Sequence, residues 1–318
     1  NIGDCNQIFE SFLFKYNQSS SKVLRKITYI SVWCAINLLN EDKEMGKFEI
    51  LCVTMGQTDF SKISEMNVHS NIVFANQAGE VSYSDFEFEG HLARMVTTNT
   101  RGVGKNRNIG LIYANADICL FADDDVTYVD NLEDIVLSEF ELCPKADIIV
   151  FNLNTDSKER KQISYTKTRK HGKFERMPWG AVRIAFRLKS VKKANLWFST
   201  LFGGGCVFPS GEDSMWLLEA KRKGLTFYVS KETIGSVSFD TSTWFTGYDE
   251  KFFYGKGAYC GANHKVGTKL WELYYAWRFR KEGDLSMKEK LKWIGYGEQG
   301  YKQLCSYEEF IDMIKKDE

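Results

Sequence analysis

The alternation of strand-like and helix-like segments between residues 48 and 155 constrains this chain most. In "KFEILCVTMGQTD" the residues Ile50, Leu51, Cys52 and Val53 are apolar without interruption, as in a strand covered on both faces. "SNIVFANQAG" (70–79), "HLARMVTTN" (91–99), "DICLFADDD" and "ADIIVFNLN" read as further strands. Between them "GKNRNIGLIYANA" and "NLEDIVLSEFELCP" read as helices, the second stopped by Pro144. Strands alternating with helices predict an α/β fold with a mostly parallel sheet and crossover helices.

Ligands of such sheets bind beyond the carboxyl ends of the strands. "CLFADDDVTYVDN" (119–131) places Asp123, Asp124 and Asp125 there. Three adjacent carboxylates repel one another and call for a cation; the plain alternative is a solvated turn. Lys+Arg and Asp+Glu are both 42, and that balance argues against a nucleic-acid partner, which normally requires a basic excess. The eight cysteines stand singly and read as reduced core thiols. The four histidines lack paired metal spacing.

Residues 1–46 read as a helical N-terminal extension, 47–263 as the α/β domain and 264–318 as a helical C-terminal tail. No signal-peptide pattern opens the sequence. Its longest apolar stretch, "ITYISVWCAINLL" (27–39), falls short of the about 20 residues that span a bilayer. The expectation is a cytoplasmic protein. In the tail, Leu270, Leu273, Tyr274 and Trp277 recur at helical spacing among Lys265, Lys269, Arg278, Arg280 and Lys281. Two readings stand: a helix packed on the sheet domain, or a peripheral helix on the inner face of the plasma membrane.

Two chemistries place Asp-x-Asp after an apolar strand. "DDDVT" fits the haloacid dehalogenase phosphohydrolases, with Asp123 as nucleophile and Mg²⁺ as cofactor, but "GEDSMWL" has no second acid at the spacing of their later loop. The alternative is supported by several segments in order. "ILCVTMGQTDFS", "TRGVGKNRNIGLIYANADICLFADDDV", "FGGGCVFPSGEDSMWLLEAKRKGLTFY" and "STWFTGYDEKFFYGKGA" resemble successive segments of the family 2 glycosyltransferases, inverting enzymes of the GT-A fold. The resemblance covers residues 48–254 and is nearest to bacterial enzymes of capsule, exopolysaccharide or lipopolysaccharide assembly. A catalytically silent, glycan-binding relative is the reading of a different class.

The resemblance implies a nucleotide-sugar donor, a UDP-sugar by expectation, a glycan or lipid-linked saccharide acceptor, and Mn²⁺ or Mg²⁺. It implies donor contacts from Thr54, Asn76, Gln77, Arg107, Asn108, Asp123, Asp124, Gly204 and Gly205, and metal contacts from Asp125 and Asp123. Asp213 is then the general base, Glu212 an acceptor ligand and catalytic partner, and Trp244 and Phe245 an acceptor platform. The residues themselves leave alternatives open. Glu212 and Asp213 open a helix for which Ser210 is the expected N-cap, with Met215, Leu217 and Leu218 inward, so the acids also read as caps. Gly203, Gly204 and Gly205 read as a strand permitting close packing or close ligand approach. Arg107 reads as a phosphate partner or a solvated residue, and Trp244 and Phe245 as platform or core. Two departures stand out: the second strand ends in "NQAG" where the family has an Asp-Asp-Gly-Ser-like turn, and "GSVSFDTSTWF" lacks the His that many members carry there.

Overall fold

The structure, a computed structural model, describes residues 46–155, 163–172, 175, 180–237, 247–264 and 266–317. The expected N-terminal extension lies outside these residues except for Gly46, which opens the first strand. The elements are β1 (Gly46–Met55), α1 (Lys62–Glu65), β2 (Asn71–Gln77), β3 (Ser82–Phe88), β4 (His91–Thr98), α2 (Val103–Tyr113), β5 (Ala116–Asp123), β6 (Val126–Tyr128), α3 (Leu132–Leu142) and β7 (Ile148–Thr155). There follow β8 (Arg169–Lys170), a single 3₁₀ turn at Ala181–Arg183, β9 (Ile184–Arg187), α4 (Leu188–Lys193), α5 (Glu212–Arg222), β10 (Phe227–Val237), α6 (Glu250–Asn263), α7 (Thr268–Arg278), α8 (Met287–Gln303) and α9 (Tyr307–Asp317).

One sheet runs in the order β3-β4-β2-β1-β5-β9-β7-β10-β6, with β8 beside β10. It is parallel through β4, β2, β1 and β5 and again between β7 and β10. Strand β9 lies antiparallel between β5 and β7. Side chains of a strand alternate between the two faces, and here both are covered. Leu51 and Val53 of β1 join Phe121, Phe186 and Trp216 under α2, α4 and α5. Ile50 and Cys52 join Phe74, Leu120 and Phe151 under α1 and α3. That double burial accounts for the unbroken apolar run in β1.

A third core unites α6, α7, α8 and α9 with Phe202 and Phe208. Helices α6 and α8 cross so closely that a side chain on Gly257 or Gly297 would run into the facing backbone. Among the described residues no helix is long and apolar enough to cross a membrane.

Three local expectations change. "FGGGCVF" forms a turn carrying one bridge, Phe202 to Phe208, because Gly203 (φ 104°) and Gly205 (φ 75°) adopt positive φ, which breaks a strand. The N-cap of α5 is Gly211 rather than Ser210. The inward residues are Trp216, Leu217 and Ala220, while Met215 and Leu218 are half-buried. Strands β3 and β9 carry no clear signal: β3 is almost wholly exposed, and β9 has four residues that run directly into α4.

Lys290 on α8 is 1% exposed, and its ammonium donates to the carbonyls of Phe279 (3.1 Å), Arg280 (3.3 Å) and Glu282 (2.7 Å) just beyond α7. Lys290→Met leaves these acceptors without their donor and should cost about 1–3 kcal/mol in urea unfolding. An unchanged midpoint would show that water caps α7 equally well.

Candidate active site

The strand register brings the sequence-predicted residues to one edge. Thr54 pairs with Asn76 and Met55 with Gln77 between β1 and β2, and Val53 pairs with Asp123 between β1 and β5. All stand at carboxyl ends of parallel strands, where two helix N-termini also arrive. The turn at Gly203–Gly205 joins them. Val103 N–H, opening α2, donates to the Gly204 carbonyl (2.9 Å). A Cβ on Gly203 would lie 2.5 Å from the Val103 side chain and 2.8 Å from the Glu212 carboxyl carbon. Glycine is what permits the starts of α2 and α5 to approach.

Arg107, on the second turn of α2, is 3% exposed and faces three carboxylates. Its Nη1 donates to Glu212 Oε1 (3.0 Å) and Asp213 Oδ1 (2.6 Å), and its Nη2 to Asp123 Oδ1 (3.0 Å). Burial works against the guanidinium charge, but Asp213, Asp123 and Glu212 outweigh it and raise its pKa above the ordinary value. The Phe198 ring lies behind it, 5.4 Å from the guanidinium carbon.

The two acids of α5 differ in their bonding. Asp213 accepts from Arg107 on one oxygen and from Ala181 N–H on the other (3.0 Å). Burial and Asp123 raise its pKa while Arg107 lowers it, with a net rise. Glu212 is pushed up to about 7 by burial and by Asp213, with Arg107 opposing. A carboxyl group that exchanges its proton near neutrality suits general acid–base work.

The strand-end aspartates are drawn in different directions. Asp123 is held by Arg107, and Asp124 accepts from the Thr54 hydroxyl. Asp125 is exposed at the mouth, yet partial desolvation, Asp123 and Asp124 push it up to about 6. Among the described residues no three acidic, histidine or cysteine side chains converge as a metal cage. Mg²⁺ commonly binds through one or two carboxylates and completes its shell with water and substrate phosphate. A carboxylate pushed up by its neighbours fits that arrangement; a self-contained cage does not.

The remaining predicted donor residues are engaged in holding loops. Asn76 exchanges hydrogen bonds with the Gln57 backbone (3.1 and 2.9 Å) and donates to Thr97 Oγ1 (3.1 Å). Gln77 Oε1 accepts from Gly102 N–H (2.7 Å), the residue before α2. Asn108 clamps the Phe198 backbone with both ends of its amide (3.0 and 2.9 Å), fixing the ring behind Arg107. Gly205 lies against Gly102. Trp244 and Phe245 lie outside the described residues. Ala181 and Phe198 were not expected here. Ala181 contributes only a backbone N–H, and Phe198 sits in "NLWFST" with no motif around it.

No family model and no curated protein matches the chain. Among solved structures, a crystal structure of S. aureus TarS aligns with a TM-score of 0.50 at 12% identity, covering 74% of this chain and 43% of that chain. TarS 1-349 in complex with UDP aligns with a TM-score of 0.51 at 12% identity, covering 82% of this chain and 93% of that chain. The chain thus covers less than half of the longer TarS chain. The fold is shared: an α/β fold like that of the GT-A glycosyltransferases.

For Asp125 the folded pKa exceeds the ordinary 3.8, so the folded state holds its proton more tightly. Its ionisation therefore removes stability as pH rises from about 4 to about 6. Without metal, Asp125→Asn should melt like the parent at the lower pH and above it from about pH 6 upward. A melting difference that does not vary with pH would show that the carboxylate feels no such repulsion.

Proposed function

We propose that this chain transfers a sugar from a nucleotide sugar, a UDP-sugar by preference, to a glycan or lipid-linked saccharide, with inversion at the anomeric carbon. The supporting observation is the shared guanidinium. Arg107 ties Asp123 at a strand end to Glu212 and Asp213 at a helix start, so the acids proposed to serve donor and acceptor share one guanidinium. The fold shared with a UDP-bound structure supports the choice of nucleotide, as does the segment order that resembles family 2 glycosyltransferases.

An acceptor hydroxyl attacking an anomeric carbon must lose its proton. Asp213 is the proposed base: Arg107 and Ala181 N–H fix its orientation, and each carboxylate oxygen retains a second lone pair. Glu212 would hold the acceptor hydroxyl, and its pKa of about 7 makes it the other candidate for the proton. A hydroxyl activated by the α5 acids and attacking on the side away from the departing diphosphate would invert the centre. Asp125, with Asp123 beside it, would hold Mn²⁺ or Mg²⁺, an ion that neutralises charge on a departing diphosphate. Thr54 orients Asp124 beside them.

Paired substitutions separate the roles. Asp213→Asn should slow sugar transfer at least ~10²-fold and leave UDP affinity in Mn²⁺ unchanged by calorimetry. Glu212→Gln should mainly raise the KM for acceptor. Near-normal turnover in the first and a collapse in the second would move the base to Glu212. In the same assay Asp125→Asn should lose Mn²⁺-dependent UDP binding, and undiminished binding would remove Asp125 from the metal site.

A further inference from the structure

Helix α7 turns Glu272, Tyr275 and Ala276 inward. Its opposite side is also apolar and largely exposed: Leu270 is 72% exposed, Leu273 53%, Tyr274 40% and Trp277 58%. These four stand at i, i+3, i+4 and i+7 and so form one stripe. Trp271 (40%) flanks it and Val266 (91%) precedes it. A surface helix ordinarily hides such a stripe, and a contiguous exposed one marks an interaction surface.

The charges around the stripe select the partner. The one acid of α7, Glu272, is buried and paired with Lys269 (3.0 Å), so the outward face carries no negative charge. Cations are fixed onto its rings instead. Arg278 Nη1 donates to the Tyr274 hydroxyl (3.1 Å), and the Arg280 guanidinium lies 4.4 Å from the Trp277 ring centroid. Exposed Lys281 follows. The exposed acids Glu282 and Asp284 follow on the same turn, but it is Arg278 and Arg280 that are held against rings of the stripe. Tryptophan and tyrosine favour the headgroup level of a bilayer, and basic residues beside them attract anionic lipid.

We infer that the outward face of α7 docks on an anionic lipid surface, with Leu270, Leu273 and Trp277 entering the headgroup layer and Arg278, Arg280 and Lys281 meeting lipid phosphates. The Lys290 contacts and the Tyr275 packing hold the helix before it binds, so docking requires no folding of α7. The face is short, and association is reversible and weakened by salt.

Co-sedimentation of the full chain with vesicles tests this. Phosphatidylcholine vesicles containing phosphatidylglycerol should retain the protein, and pure phosphatidylcholine vesicles should retain much less. The double variant Leu273→Glu/Trp277→Glu should bind at least ~10-fold more weakly at an unchanged melting temperature, since both side chains are exposed. Arg280→Gln/Lys281→Gln, which leaves the apolar stripe intact, should lose the preference for phosphatidylglycerol. Equal binding to both vesicle types, or undiminished binding by the Glu variant, overturns the inference. So does light scattering that shows a parent dimer and a monomeric Glu variant, which would assign the face to a second copy of the chain.

Discussion

One buried guanidinium joins a strand end to a helix start in this molecule. Arg107 is out of water, and three carboxylate partners and the Phe198 ring offset that loss. Removing a charge from solvent is costly unless geometry and hydrogen bonding are good. Here the geometry is supplied from behind: Asn108 clamps the Phe198 backbone, and the Phe198 ring stacks on Trp216 with centroids 5.4 Å apart. The balance remains uneven, one positive charge against three negative ones, with Asp124 and Asp125 close by. Burial and this crowding of acids together push Glu212 up to about 7 and Asp125 up to about 6.

Much of the fold was legible because double burial leaves a strong signature. The strands β1, β2, β5 and β7 are apolar on both faces, and such runs stand out in a chain of mixed composition. The position of the aspartates followed from the same logic, since a parallel sheet has one end at which ligands are met. The weakly marked strands include those with little burial or length: β3 at the wet edge, and β6, β8 and β9 with three, two and four residues.

The partnership of Arg107 was not legible. It lies 105 residues from Glu212, and nothing local distinguishes an arginine that binds phosphate from one that binds carboxylates. Asn76, Gln77 and Asn108 illustrate the same limit. Their amides sit where the motif order places them, but each is used on backbone nearby, a choice set by loop geometry. The glycine turn was visible as composition. Its consequence, two helix starts pressed together, required the third dimension.

The sheet also has a temporal logic. Strands β5 and β7 do not pair with each other; β9 lies between them, pairing Cys119 with Phe186 on one side and Ile148 with Phe186 on the other. Until residues 184–187 have left the ribosome, the two parallel portions of the sheet have no shared partner. Before then the β5 edge that β9 will fill has no strand beside it. Such edges are where nascent chains associate wrongly. Four residues with little signal of their own thus join β5 to β7, and the acids of α5 follow them out of the exit tunnel before β10 completes the sheet.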